Sequence, residues 1–145
     1  LALVSDSSGV AAIELALMAP FLVLLMTAGF DFGRALYEQH RLAGAARAGV
    51  QYAIRSSSTW TDSTNIIAAV RSDANDTANA LTVSTSQCTC PSGTTKCSTA
   101  ATCTGSAISG TYVQVTVAES YATVVTYPFV TTPLSLSSKA IIRVQ

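Results

Sequence analysis

The pattern of apolar and polar positions divides the chain into an apolar run, an amphipathic run and a hydroxyl-rich remainder. Residues 10–30 are apolar or small, with Glu14 as their one charged side chain. At 1.5 Å per residue the run predicts a helix about 31 Å long, close to the ~30 Å hydrocarbon thickness of a bilayer. A buried core helix is the weaker reading, because the rest of the chain is too small and too hydroxyl-rich to wrap such a segment. A cleaved secretory signal fits poorly too. Its apolar region would be about 7–15 residues long and end at a small-residue cleavage site, whereas this pattern passes without a break into more helix.

In residues 31–55 the positions Phe32, Leu36, Ala43, Ala46, Val50 and Ile54 recur at helical spacing and predict one apolar stripe. Arg34, Glu38 and Arg41 fall on another face, three and four residues apart, where weak ion pairs form. Residues 10–55 thus predict one helix about 68 Å long, half lipid-soluble and half amphipathic. Gly29, Gly33, Gly44 and Gly49 each lower its intrinsic stability by about 1 kcal/mol relative to alanine. Such a helix needs neighbours, and small residues let them approach. Pro20 removes one backbone donor and crowds the Ala16 carbonyl, which predicts a kink or a local loss of helix.

Beyond residue 55 a second, shorter helix is predicted to start after Asp62 or Ser63, either of which can cap it. Ile66, Ile67, Val70 and Ala74 form its buried stripe, with Arg71, Asp73 and Asp76 in water. Residues 82–138 then hold 24 Ser or Thr in 57 positions and only two charges, Lys96 and Glu119, so any core there is small. Residues 81–85, 112–117, 121–126 and 139–144 are β-branched and partly alternating, which predicts strands. Pro128 and Pro133 bound the loop before the last of them. The fold class is α+β: a long N-terminal helix, half membrane-spanning and half amphipathic, carrying a small antiparallel β head. The expected units are a leader-like segment 1–9, a spanning helix 10–30, its amphipathic continuation 31–55, and a head 56–145 with a Cys-rich loop at 88–103.

Composition narrows the function. Charged residues make up 11% of the chain, against about 25% in a typical soluble domain, and mean hydropathy is +0.41. That profile fits an anchor with a small polar head, and it disfavours an unanchored secreted enzyme. Eight basic and eight acidic residues cancel, so there is no basic face for nucleic acid. No catalytic constellation is visible: His40 stands alone between Gln39 and Arg41, and there is neither a Gly-rich phosphate loop nor an acidic cluster for calcium. Neither enzyme activity nor a cofactor is expected. Asn75-Asp76-Thr77 fits a glycosylation sequon, a motif common by chance.

The four cysteines, Cys88, Cys90, Cys97 and Cys103, lie within sixteen residues. Four thiolates suffice for zinc, but zinc sites use paired C-x2–4-C knuckles, and the intervals here are one, six and five. Two disulfides in an oxidising compartment fit better, and no metal is expected. Of the three connectivities, the one containing Cys88–Cys90 is strained by its one-residue loop. Cys88–Cys103 with Cys90–Cys97 is preferred over the crossed pairing, and both remain open. A closed loop of about 15 residues contributes about 3 kcal/mol in the chain-entropy model.

Glu14 needs a reason to be where it is. A carboxylate at the centre of a spanning helix costs about 2.5–3.5 kcal/mol on insertion scales, and less near an end. It can snorkel to the headgroups, but its spacing points to more. Counting from Val10, it is the fifth residue after Gly9. This arrangement resembles the processing site of type IV pilin-like proteins, in which a prepilin peptidase cuts after the glycine and the glutamate pairs with the new N-terminal amine during packing. The wider stretch is similar to TadE/TadG-like pseudopilins of tight-adherence pili. The matching features are Gly9, the Ala-x-Glu-Leu-Ala-Leu-x-x-Pro run ending at Pro20, Phe32-Gly33-Arg34, and Ala-Ala-Arg-Ala-Gly at 45–49.

The resemblance covers roughly residues 7–53 and implies a pilin-like fold, processing between Gly9 and Val10, and helix packing through Glu14 and Pro20. If residues 1–9 are retained, Val10 has no free amine and Glu14 needs another donor or a proton of its own. Charge placement bears on topology as well. Asp6 precedes the span while Arg34, Arg41 and Arg47 follow it, which by the positive-inside rule puts the head in the cytoplasm. Disulfides put it outside, and a basic leader ahead of Leu1 would reconcile the two. The expected locations are the bacterial inner membrane with the head in the periplasm, or an extracellular filament. The expected partners are copies of the chain or other pilin-like subunits, the membrane and a prepilin peptidase. The leading function is a structural pilus subunit for attachment. A minor pseudopilin that starts or regulates a pilus of another subunit is the alternative, and an adhesive head using the disulfide loop is a third.

Overall fold

The computed structural model describes residues 7–56, 58–89, 110–127 and 130–144. In chain order these form α1 (Ser7–Ala53), α2 (Ser63–Asp73), β1 (Thr82–Cys88), β2 (Tyr112–Tyr121) and β3 (Leu134–Arg143). The architecture is α+β and pilin-like: one long apolar helix and a small three-stranded antiparallel sheet. The strand order is β1-β2-β3, with Val115 opposite both Thr85 and Ala140.

β2 is the central strand, and its alternation defines the core. Val113, Val115 and Val117 point to one face of the sheet, where they meet Leu42, Ala45, Ala46, Val50 and Ala53 of α1 and Ile66 and Val70 of α2. Only the last three turns of α1 contribute to this core. The helix comes closest at Gly49, where a Cβ would lie 2.6 Å from Val70 Cγ2 and 3.2 Å from Val115 Cγ1. Both neighbours are β-branched and stiff at χ1, so neither can easily turn aside.

The buried stripe of α1 differs from the expected one. Ala46 and Val50 belong to it, but Phe32, Leu36 and Ile54 are exposed. The sheet packs instead on Ala45, Ala46, Gly49 and Ala53, because a close helix–sheet approach selects small side chains over large ones. α1 also runs unbroken through Pro20, without the expected loss of helix. α2 starts where expected: Asp62 is its N-cap and accepts a hydrogen bond from the Asn65 N–H at 3.1 Å.

Asp76, expected in water, turns inward. Its carboxylate accepts from the N–H groups of Ala80 (2.8 Å) and Leu81 (3.1 Å) and so closes the connection from α2 to β1. Asn75 and Asn79 in that connection have φ of 52° and 55°, left-handed conformations that asparagine tolerates. All three strands differ from their expected limits. β1 extends through Ser86-Gln87-Cys88, β2 runs on from residue 117 to Tyr121, and β3 begins at Leu134 rather than near residue 139. Serine is a poor strand former alone, but pairing with β2 overrides propensity. The strand expected at 121–126 does not form as a separate element: Tyr121 ends β2, and the backbone turns away over 122–126.

Candidate functional site

Among the described residues, the first half of α1 has no partner outside its own helix. Its most apolar window is wholly outside the core, and the helix is long and apolar enough to cross a membrane. Val10, Ile13, Leu15, Leu17, Phe21 and Leu24 are all more than half exposed. Gly9 and Val10 lie near the start of α1, and Glu14 and Pro20 lie within it, all on exposed helix. Gly9, Gly29 and Gly33 have nothing within 4 Å of where a Cβ would be, so nothing in one chain uses their smallness.

The apolar run ends at Asp31, the most buried polar residue among those described, at 4% exposure. Its carboxylate gathers the turn after β2. It accepts from the Val124 N–H at 3.0 Å, the Val125 N–H at 3.4 Å and the Tyr127 hydroxyl at 2.9 Å, while the Tyr121 hydroxyl donates to the Asp31 carbonyl at 3.3 Å. The Val124 N–H bond does most to hold this carboxyl below the ordinary aspartate range. Burial works against it, and Tyr127, Val125 and the charge of Arg34 add to the lowering. The Tyr127 hydroxyl is pushed up in turn, by burial and by the acceptor it serves. These bonds also explain the missing strand: the N–H groups of Val124 and Val125, which a ladder would have used, go to Asp31.

Two turns further along, Arg41 ties three elements together. It pairs with Glu38 at 2.7 Å on its own helix, as the i,i+3 spacing predicts, and with Glu119 of β2. It also donates to the Ala74 carbonyl at the end of α2, at 3.1 Å. Gln39 donates to the Ser137 carbonyl of β3 at 2.8 Å. The amphipathic half of α1 and the head therefore form one polar-stitched unit. Arg34 does not pair with Glu38 but lies against the Phe30 and Tyr121 rings, 5.8 and 5.6 Å from their centroids.

Sequence reasoning missed Asp31 and Glu119 as structural anchors. For Asp31 a signal was present, since it is the first charged residue after the apolar run. For Glu119, an isolated charge in a hydroxyl-rich stretch was the only hint. Of the cysteines, Cys88 ends β1 and is buried, and no free cysteine is found among the described residues. Cys90, Cys97 and Cys103 lie outside the described residues, and so does the expected pairing.

The geometry is that of a long apolar helix starting beside Gly9, carrying Glu14 and continuing into a small α+β head. Residues 9–51 match the family of TadE-like proteins. The match lies within α1, two residues short of it at either end, and the head lies outside it. The likeness is confined to that segment, and it is to proteins associated with tight-adherence pili. One N-terminal apolar helix fits membrane anchoring in such a system. No curated protein and no solved structure matches the chain.

Proposed function

We propose that this chain is a structural subunit that assembles through the first half of α1 into a tight-adherence-type pilus or filament for surface attachment. The observation that carries the reading is the contrast within α1. The head completes its own core on residues 42–53, while a TadE-like apolar segment of full membrane length is left without a partner among the described residues. Before assembly a bilayer covers that segment, with the head in the periplasm. Afterwards, equivalent helices of neighbouring copies cover it, with the heads forming the outer surface.

Glu14 is the assembly residue in this reading. In a filament core it meets a positive or hydrogen-bonding group of a neighbour, such as the Val10 amine if a prepilin peptidase cuts after Gly9. Pro20 and the glycines let helices pack closely. The cysteine loop, paired Cys88–Cys103 and Cys90–Cys97, stiffens a head with little apolar core beyond β2. Shearing the source cells, imaging the detergent-free fraction and weighing its main protein tests the proposal. Filaments made mainly of this chain support it, and the same mass reports whether residues 1–9 remain. A chain that stays with the membrane while the filaments consist of another subunit makes it a minor pseudopilin instead. Glu14→Gln should sharply reduce incorporation into filaments with the head still folded, and wild-type incorporation of that variant would remove the role given to Glu14.

A further inference from the structure

The turn after β2 has a composition that the head's own packing does not require. Residues 120–138 carry no acidic or basic side chain. Within the turn Val124 is 60% exposed and Val125 42%, although burial of either would release apolar surface from water. Scattered exposed valines need no explanation, but these two occupy a particular place. Their N–H groups are bonded to the carboxylate of Asp31, the first residue after the apolar run. Side chains on a helix lean toward its N-terminus, so Asp31 holds the turn beside the last turn of the apolar segment rather than beside the amphipathic half.

The surroundings are those of a membrane boundary. Phe30 is exposed at the end of the run, and Tyr121 and Tyr127 bracket the turn with hydroxyls bonded to Asp31. Arg34, against Phe30 and Tyr121, sits one turn further from the span. Aromatic rings at the headgroup level with a basic side chain just outside them are the usual anchors of a spanning helix. Here two of the rings come from the head.

We propose that the turn after β2 is a shallow membrane contact. In the membrane-resident form, Val124 and Val125 enter the headgroup–acyl boundary of the bilayer that α1 spans, with Tyr127 at headgroup depth beside the buried Tyr121 ring and Arg34 at the phosphates. The contact rests on the reading of α1 as a membrane span. It seats the head on the lipid surface at a fixed tilt through a second point besides the helix. Asp31 is the positioning residue: its hydrogen bonds are satisfied from the turn, so its carboxylate is shielded where the chain meets the lipid.

Site-directed tryptophans in the full chain, reconstituted in phosphatidylcholine vesicles, test this. The single native tryptophan is first removed as Trp60→Phe, and Val124→Trp, Leu24→Trp and Ser86→Trp are then compared using lipid brominated at a shallow acyl position. Val124→Trp should be quenched about twofold, like a residue in an interfacial segment, with blue-shifted emission. Ser86→Trp, on the exposed side of β1 at the far end of the head, should be unaffected. Quenching of Leu24→Trp with Val124→Trp matching Ser86→Trp overturns the contact and leaves the span standing. Absence of quenching at Leu24→Trp removes both. Burial of Val124→Trp that follows protein density rather than bromination assigns the turn to a second copy and also overturns the proposal. The wild-type chain supplies an independent readout. Phosphatidylcholine bearing a diazirine near the acyl carbonyl should crosslink to the peptide containing Val124 and Val125, and labelling confined to α1 would count against the contact.

Discussion

The two halves of α1 are built from similar materials and solve different problems. Both are rich in alanine, glycine and leucine, and both lie on one unbroken helix. In residues 42–53 every small residue of the buried stripe has a counterpart: Gly49 sits against Val70 and Val115, and Ala45, Ala46 and Ala53 are fully buried under the sheet. Gly29 in the first half and Gly33 just past its end have no described atom within 4 Å of a Cβ, and Leu24 is 58% exposed. Small residues thus mark close approach in one half, with the partner supplied by the same chain. In the other half no described residue approaches them. The amphipathic half is tied to β2 and the end of α2 through Arg41, to β3 through Gln39 and to the turn after β2 through Asp31.

Matched truncations put the largest numbers on that contrast. Leu42→Ala, at a fully buried site, should cost about 2–5 kcal/mol of head stability through lost burial and a residual cavity. Leu24→Ala should change it by less than about 0.5 kcal/mol, as exposed positions do. Thermal unfolding of the detergent-solubilised full chain, followed through Trp60 fluorescence, reads both. Equal losses would mean that the first half of α1 contributes to the head after all.

Glycine substitutions sharpen the comparison at smaller scale. Gly49→Ala adds about 1 kcal/mol of helix propensity but overpacks by about 1–3 kcal/mol, for a net loss of up to about 2 kcal/mol. Gly29→Ala and Gly33→Ala meet nothing and should stabilise the single chain by up to about 1 kcal/mol each. In assembled filaments the order should reverse if neighbouring helices approach there: the same alanines would lower the yield of sheared filament, while Gly49→Ala would act only through head stability.

Much of this contrast was legible in the residues. The apolar run, its continuation as helix, the cap at Asp62 and the α+β class follow from periodicity and capping chemistry, which are local. What could not be read is non-local. The expected stripe through Phe32 and Leu36 assumed that large apolar residues there face the core, yet the sheet lies against Ala45, Ala46, Gly49 and Ala53 with Leu42 and Val50, and Phe32 and Leu36 face outward. Tyr-Ala-Thr-Val-Val-Thr has every mark of a strand and becomes a turn, because a carboxylate some ninety residues earlier takes its donors. The Ser-rich starts and ends of β1 and β3 carry no strand signal of their own and form because β2 offers a partner. Glu14 and Pro20, the residues proposed for assembly, were visible only as oddities of composition and through the family's pattern, and both lie exposed on α1.

The boundary between the halves yields the smallest effect and the most specific one. Asp31 is the sole described polar side chain buried at the junction, and its pKa is lowered chiefly by the Val124 N–H. A carboxylate depressed in the folded state contributes stability that is complete above its unfolded pKa, near 3.9, and that disappears as pH falls through the folded value. Asp62 is lowered too, by Asn65, so acid lability of the wild type alone does not isolate the junction. The difference between wild type and Asp31→Asn does. The amide keeps one acceptor for Val124 but turns the other position into a donor, losing the bonds from Val125 and Tyr127. The variant should melt a few degrees below wild type at pH 7, and the gap should narrow from about pH 5 downward and close below the folded pKa of Asp31. At the alkaline end the raised Tyr127 predicts the opposite sense: its contribution is full below about pH 10 and lost as pH rises through its folded value. Tyr127→Phe should therefore lie below wild type at pH 7 and converge with it at high pH. A gap that stays constant from pH 7 to pH 2 would mean that Asp31 anchors the turn by shape alone, and the two halves of α1 would then meet at a packing boundary rather than an electrostatic one.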